Sequence, residues 1–130
     1  MSNQFTAGAV VYARNTAKVS AFYAEIAGLH ITHAEQDHVV LESAAFQLVV
    51  VAVPARIAAT IQVASPPQPR EDTAIKLVLP IASIASARVM APSLGGQLNP
   101  PEREWQFQGS SVCDGHDPEG NVVQFREVAP

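Results

Sequence analysis

Three side chains with the chemistry to hold or transform a small molecule, Lys76, Gln124 and Arg126, sit in runs where polar groups are out of place. Lys76 lies in an otherwise apolar run with Ile75, Leu77, Val78 and Leu79 around it. Its ammonium reads either as an anchor for an anion or as a lysine near a strand end that reaches to water. Gln124 interrupts the apolar run Val122-Val123-Gln124-Phe125, and strand alternation puts it on one face with Arg126. That pair either lines a site or satisfies itself locally, with Arg126 joining an acid such as Glu127 or Asp114. Trp105 and Phe107 offer flat aromatic surface that could stack on a planar ligand, pack internally or meet a second copy of the chain. The histidines, His30, His33, His38 and His116, match no standard metal-ligand spacing. The first three decorate a hairpin region with Glu42 near by, and His116 falls in a turn. Cys113 alternates with Val112 and Asp114 and reads as a buried, inert thiol. No Ser-His-Asp arrangement, phosphate loop or zinc-finger pattern is visible.

These residues need a frame, and the chain is long enough to build one. At 130 residues, 48% hydrophobic and 15% charged, it is a single globular domain with a core of its own. A net charge of −4 without a basic run argues against nucleic acid as a partner. A lone cysteine forbids an internal disulfide and fits a reducing, cytoplasmic setting. Met1-Ser2-Asn3-Gln4 lacks the character of a signal peptide, and no apolar run approaches the ~20 residues of a membrane span.

The pattern of elements repeats. Phe5 to Arg14 is a strand, Asn15 or Thr16 caps a helix over about Ala17 to Ala27, and Gly28 ends it. Val19, Phe22, Tyr23 and Ile26 make that helix's apolar face. Strands follow at Leu29–His33, His38–Glu42 and Phe46–Val53, the last apolar enough to be covered on both faces. Residues 55–73, rich in proline, form a connector in which Ile57 to Val63 is a short helix or an extended arm. The order then recurs. Ala74–Pro80 is a strand, and Ser83 caps a helix to about Ser93 with Ile84, Ala87, Val89 and Met90 inward, though Pro92 can shorten it. Gln97–Asn99 and Ser110–Asp114 are strands, and Trp105–Gln108 is loop or strand. The turn Asp117-Pro118-Glu119-Gly120-Asn121 leads into a last strand to Val128. The fold class is α+β: two β-α-β-β-β modules, about 5–54 and 74–130, sharing one core.

Tyr12-Ala13-Arg14-Asn15, Phe22-Tyr23 and Gly28-Leu29, together with Asp117-Pro118-Glu119-Gly120-Asn121, resemble the vicinal oxygen chelate superfamily. That group includes glyoxalase I, bleomycin resistance proteins, extradiol dioxygenases and fosfomycin resistance enzymes. The resemblance implies two modules whose sheets curve into an open cleft, and a homodimer. It also implies metal-ligand positions early in each module's first strand and a carboxylate in its last. Counted onto this chain, these fall on Gly8, Lys76, Gln124 and either Gln47 or Val49. None is a ligand suited to a divalent metal, so the expectation is a cleft with no metal and no cofactor. Its wall would carry Lys76, Gln124, Arg126, Gln47, Trp105 and Tyr12, a set suited to a small, possibly anionic, ligand. The leading expectation is therefore metal-free small-molecule binding. The alternatives are a glyoxalase- or dioxygenase-type enzyme with an unusual metal site or metal-free acid–base chemistry, and a protein-interaction domain with a filled cleft.

Overall fold

The computed structural model describes residues 6–60 and 67–128. Strand β1 (Ala7–Ala13), helix α1 (Thr16–Ala27), β2 (His30–Ala34), β3 (His38–Glu42) and β4 (Phe46–Ala52) come first. A single helical turn, α2 (Ala55–Ala58), opens the connector, and the expected arm as far as Val63 lies partly outside the described residues. Then come β5 (Leu77–Ile81), α3 (Ile84–Met90), β6 (Gln97–Leu98), β7 (Trp105–Phe107), β8 (Ser110–His116) and β9 (Val122–Glu127).

The strands form two sheets, ordered β1-β4-β3-β2 and β5-β9-β8-β6, with β7 also pairing to β8. In each sheet the first strand runs parallel to the last, and the remaining pairs are antiparallel. A parallel pair needs a long crossover, which α1 and α3 help to supply. The Asn15 side chain accepts from the Lys18 amide at the start of α1, and Gly28 ends it with φ 67°. Val19, Phe22, Tyr23 and Ile26 are all buried, as their spacing requires.

The second helix departs from expectation. It is α-helical only to Met90 and continues as a 3-10 turn, Ala91–Leu94. Pro92 has no N–H for an i→i−4 bond, which ends the regular helix there. Its buried residues are Ile84, Ala87 and, in the turn, Ala91, whereas Val89 is 83% exposed and Met90 also faces outward. Spacings of three and four residues select the first three, and Val89 and Met90 fall off that stripe.

Alternate strand residues point to the core: Val39 and Leu41, Leu48 and Val50, Leu79 and Ile81, Val123 and Phe125. Phe22 of the first half lies 6.5 Å from Phe125 of the second, so the halves share this core. Burial of β4 is full on that side only, since Val49 and Val51 stay half-buried on the other. β7 and β8 form a hairpin whose turn, Gln108-Gly109, has positive φ at both residues. β8 runs further than expected, so His116 is a strand residue paired with Gln97 and Val122 rather than part of the turn.

β5 begins at Leu77 rather than Ala74, which leaves Lys76 just ahead of it. The place beside Asn121 is occupied by the connector, where Arg70 bridges to Asn121 and donates its amide to the Gly120 carbonyl at 2.7 Å.

Candidate functional site

The turn from β8 to β9 is where the two halves are tied. Asp117 is fully buried. Its carboxylate accepts from the amides of Glu119 and Asn121, from Asn121 Nδ2, and from the Tyr23 hydroxyl of α1 at 2.8 Å. Glu119 accepts from the backbone amides of Arg14 and Asn15 at 3.0 and 2.8 Å, which places its charge at the N-terminus of α1. Burial pushes the Tyr23 hydroxyl well above its ordinary pKa, and the Asp117 charge and hydrogen bond push it the same way. The sequence points to Asp117's backbone bonds but gives no hint of Tyr23 and Glu119 as partners across the halves. Gly120 has φ 85°, and a Cβ there would collide with the Gln68 carbonyl, so the connector is laid directly on this turn.

Each sheet has one side turned away from the core. On the first it carries Gly8, Val10 and Tyr12 of β1 with Gln47, Val49 and Val51 of β4. On the second it carries Val122, Gln124 and Arg126 of β9 with Val112, Asp114 and His116 of β8. The Lys76 ammonium donates to Asp114 Oδ2 at 2.8 Å. Gln124 pairs with Asp114 in the ladder, and its Oε1 accepts from Arg126 Nε at 2.9 Å. The Arg126 guanidinium lies 4.9 Å from the centre of the Phe107 ring. Trp105, beside it, faces Val112.

Two cavities open beside these faces. The smaller, about 370 Å³, is bordered by Arg70, Lys76, Arg103, Asp114 and His116 among others. The larger, about 590 Å³, runs along β1 past Val10 and Tyr12 to Ile75, Leu77 and Val122. Arg70, Thr73 and Ile75 border both, so the connector forms the partition between them. The sequence shows this stretch only as a linker. The one signal was the charged run Arg70-Glu71-Asp72 after the prolines.

Of the expected site residues, Lys76 borders the smaller cavity and Tyr12, 66% exposed, the larger. Gln124, Arg126 and Trp105 lie on the same side of the second sheet but border neither cavity. Gln47 sits on the first sheet, where its Nε2 donates to Glu42 Oε2 at 3.3 Å.

The positions at which the resemblance would put metal ligands can be placed on the ladders. Gly8 and Lys76 stand equally far ahead of the helix caps Asn15 and Ser83. Val10 and Val78 therefore match, and their partners are Val49 and Gln124. The counterpart of Gln124 is thus Val49, not Gln47. A Cβ at Gly8 would run into the Gln47 carbonyl, which excludes any ligating side chain there. One glycine, one valine, one ammonium and one neutral amide do not fit a divalent cation. His33 pairs with Glu35 and His38 with Asp37, each at 2.8 Å. Among the described residues no three His, Cys, Asp or Glu side chains converge. Cys113 is buried, which raises its thiol pKa, and its Sγ lies 3.4 Å from the Asn99 carbonyl. No described helix is long and apolar enough to cross a membrane.

No protein-family model matches the chain, and no curated protein matches it in sequence. Solved structures do match in shape over nearly its whole length. A glyoxalase/bleomycin resistance protein/dioxygenase family enzyme from Burkholderia phytofirmans PsJN superposes with TM-score 0.69 at 15% identity, covering 95% of this chain and 98% of that one. A bleomycin resistance determinant encoded on the transposon Tn5 gives 0.62 at 18% identity, over 98% and 100%. A bleomycin-binding protein complexed with bleomycin gives 0.58 at 18%, again over 98% and 100%. With its four- and five-stranded sheets set around a common core, each pairing its first strand parallel to its last, the chain has the glyoxalase/bleomycin-resistance fold.

Proposed function

We propose that this chain binds a small organic anion without a metal. One observation carries the reading. Lys76, Arg70 and Arg103 converge on a concave, partly polar cavity that adjoins a larger one walled by Val10, Tyr12, Ile75 and Leu77. Three cations against Glu71 and Asp114 leave that cavity cationic, and the apolar neighbour would take a carbon skeleton. Gln124 and Arg126 extend the polar wall, Trp105 and Phe107 offer a stacking surface beyond it, and Gln47 lies on the first sheet. The fold is shared with a protein that was crystallised with bleomycin bound, which supports capture as a use of this architecture.

The chain pairs as a homodimer in this reading, because Val10 and Tyr12 leave apolar area exposed along β1. A cytoplasmic setting fits its lone, buried thiol. The enzymatic alternative is metal-free proton transfer with Lys76 as acid or base. It is less well supported, because the ammonium is engaged by Asp114, which suits charge neutralisation better than proton transfer.

The test is isothermal titration calorimetry of chelator-treated protein against a panel of aromatic and aliphatic carboxylates and phosphates. At least one should bind, and Lys76→Met should weaken it about tenfold. Binding that appears only after zinc, nickel, iron or manganese is restored would overturn the metal-free reading.

A further inference from the structure

We infer that the larger cavity takes an extended peptide with a free C-terminal carboxylate, which adds as a further strand to the open edge of β1. This rests on the binding reading above and names the ligand class of the same pair of cavities.

β1 and β5 are both edge strands. The ladders fix where their backbone groups point. Val53 donates its amide to the Ala13 carbonyl at 3.1 Å. Successive strand residues turn their backbone groups to opposite sides. Ala9, Val11 and Ala13 therefore bond β4, and Gly8, Val10 and Tyr12 present N–H and C=O to the open edge. On β5 the Val128 amide meets the Ile81 carbonyl at 2.9 Å, which leaves Val78 and Pro80 facing outward. Pro80 has no N–H to offer, so that edge is blunted. β1 carries no proline, no charge and no bulge.

The larger cavity runs along this unguarded edge. Five consecutive residues, Gly8 to Tyr12, border it, whereas a cavity on one face of a strand would meet alternate ones. From Gly8 to Tyr12 the edge measures roughly 13 Å at the usual strand rise, enough for about four extended residues. Outward N–H and C=O groups at Gly8, Val10 and Tyr12 match a ligand whose own donors and acceptors recur at strand spacing. A peptide backbone has that spacing, and Val10, Tyr12 and Leu77 give its side chains apolar walls.

The cations fix its direction. Glu119 holds the amides of Arg14 and Asn15, so the C-terminal end of β1 lies against the turn on which Arg70 is seated. Arg70 borders both cavities, and among the described residues no carboxylate pairs with its guanidinium. A peptide parallel to β1 brings its C-terminal carboxylate to that end, where Arg70 meets it, with Lys76 and Arg103 beyond. The opposite direction would leave the carboxylate beside Gly8, away from all three.

Calorimetry of the full chain with the tetrapeptide acetyl-Ala-Val-Ala-Val tests this. The free acid should bind about tenfold more tightly than its C-terminal amide, and Arg70→Gln, which keeps the backbone seat, should remove that preference. Val10→Pro deletes an N–H that β4 does not use and should weaken the free acid by about tenfold or more. Two measurements on the unsubstituted protein do not depend on a variant folding. The peptide N-methylated at every amide should not bind. Amide hydrogen exchange at Val10 and Tyr12 should slow when the unmethylated acid is added, and exchange at Val11 should not change. Binding without that slowing, or equal affinity for acid and amide, would overturn the inference. So would exchange at Val10 and Tyr12 that is already slow in the free protein, the mark of a second copy on the edge. If other anions of the panel bind and the peptide does not, the inference falls and the binding reading stands. If nothing binds, both fall.

Discussion

Tyr23 does two jobs at one position. Its ring packs edge-on against Phe22, 5.2 Å away, and its hydroxyl satisfies a buried carboxylate that belongs to the other half of the chain. Tyr23→Phe keeps the ring and removes one donor from Asp117. Hydrogen bonds to charged groups are worth about 1.5–3 kcal/mol, and urea unfolding at neutral pH should show a loss of that size. The same hydroxyl sets an alkaline limit. Its pKa is raised in the folded protein, so above the ordinary value of 10.0 the folded state holds a proton that the unfolded state releases. The stabilisation is complete below pH ~10 and is lost as pH rises towards the folded-state value. The unfolding midpoint should therefore fall more steeply above pH ~10 in the native chain than in Tyr23→Phe, and equal slopes would exclude this account. What the sequence discloses at this scale is what acts locally. A cap at Asn15 or Thr16, Gly28 as a stop and Asp117 bonded to its own turn all follow from neighbours within a few residues, and the structure chooses Asn15. Tyr23 was legible only as part of an apolar stripe, because its hydroxyl's partner lies 94 positions away. The choice between Gln47 and Val49 stayed open for a related reason: strand alternation fixes a face, while only pairing fixes the register.

Helix α3 and the connector are the elements least well read from sequence. In α3 the residue types allowed four inward candidates, and packing accepted Ile84 and Ala87. Val89→Lys should therefore change stability by no more than about 0.5 kcal/mol, while Ala87→Lys, forcing a charge into the core, should cost upwards of 3 kcal/mol. Thermal melts of the two variants separate these outcomes, and a reversed order would mean the helix is rotated. The connector's prolines announce irregular backbone, and nothing local says what it lies on. Its seat is Gly120, whose carbonyl takes the Arg70 amide and whose missing side chain makes room for Gln68. Gly120→Ala should unseat it, partly through the collision and partly through the positive φ, at about 1–3 kcal/mol. The sharper readout is limited proteolysis. Cleavage within the connector should become faster in Gly120→Ala, with anion binding weakened in parallel, and an unchanged digestion rate would show that the segment is held elsewhere.

At the scale of the molecule, the repeat was legible because the same order of elements occurs twice, each with a cap before its helix and a glycine after it. How the repeats face each other was not, since the pattern within a repeat carries no signal about its twin. The structure answers with an asymmetry. The α1 N-terminus receives its carboxylate from Glu119 in the second half, whereas the Ile84 amide of α3 bonds Glu127 of its own sheet at 2.9 Å. Glu119→Ala leaves two amides without their acceptor and should cost roughly 2–4 kcal/mol. The loss should fall on the whole molecule. Circular dichroism and the fluorescence of Trp105, the sole tryptophan, should still report one shared denaturation midpoint, shifted downward. Two separated transitions would mean that the halves fold independently.

The bond from Arg14 to Glu119 spans 105 positions, and this bears on how the protein is made. A ribosome adds roughly 5–20 residues per second, so the amides at the head of the first helix are synthesised several seconds, and up to about twenty, before the glutamate that receives them. For that interval the nascent first half carries an uncapped seam and a tyrosine hydroxyl without its carboxylate. Its exposed sheet side is then open to chaperones or to a neighbouring nascent chain. The turn that closes the fold leaves the exit tunnel after every element it ties together, and slow translation just ahead of it would lengthen the period of risk.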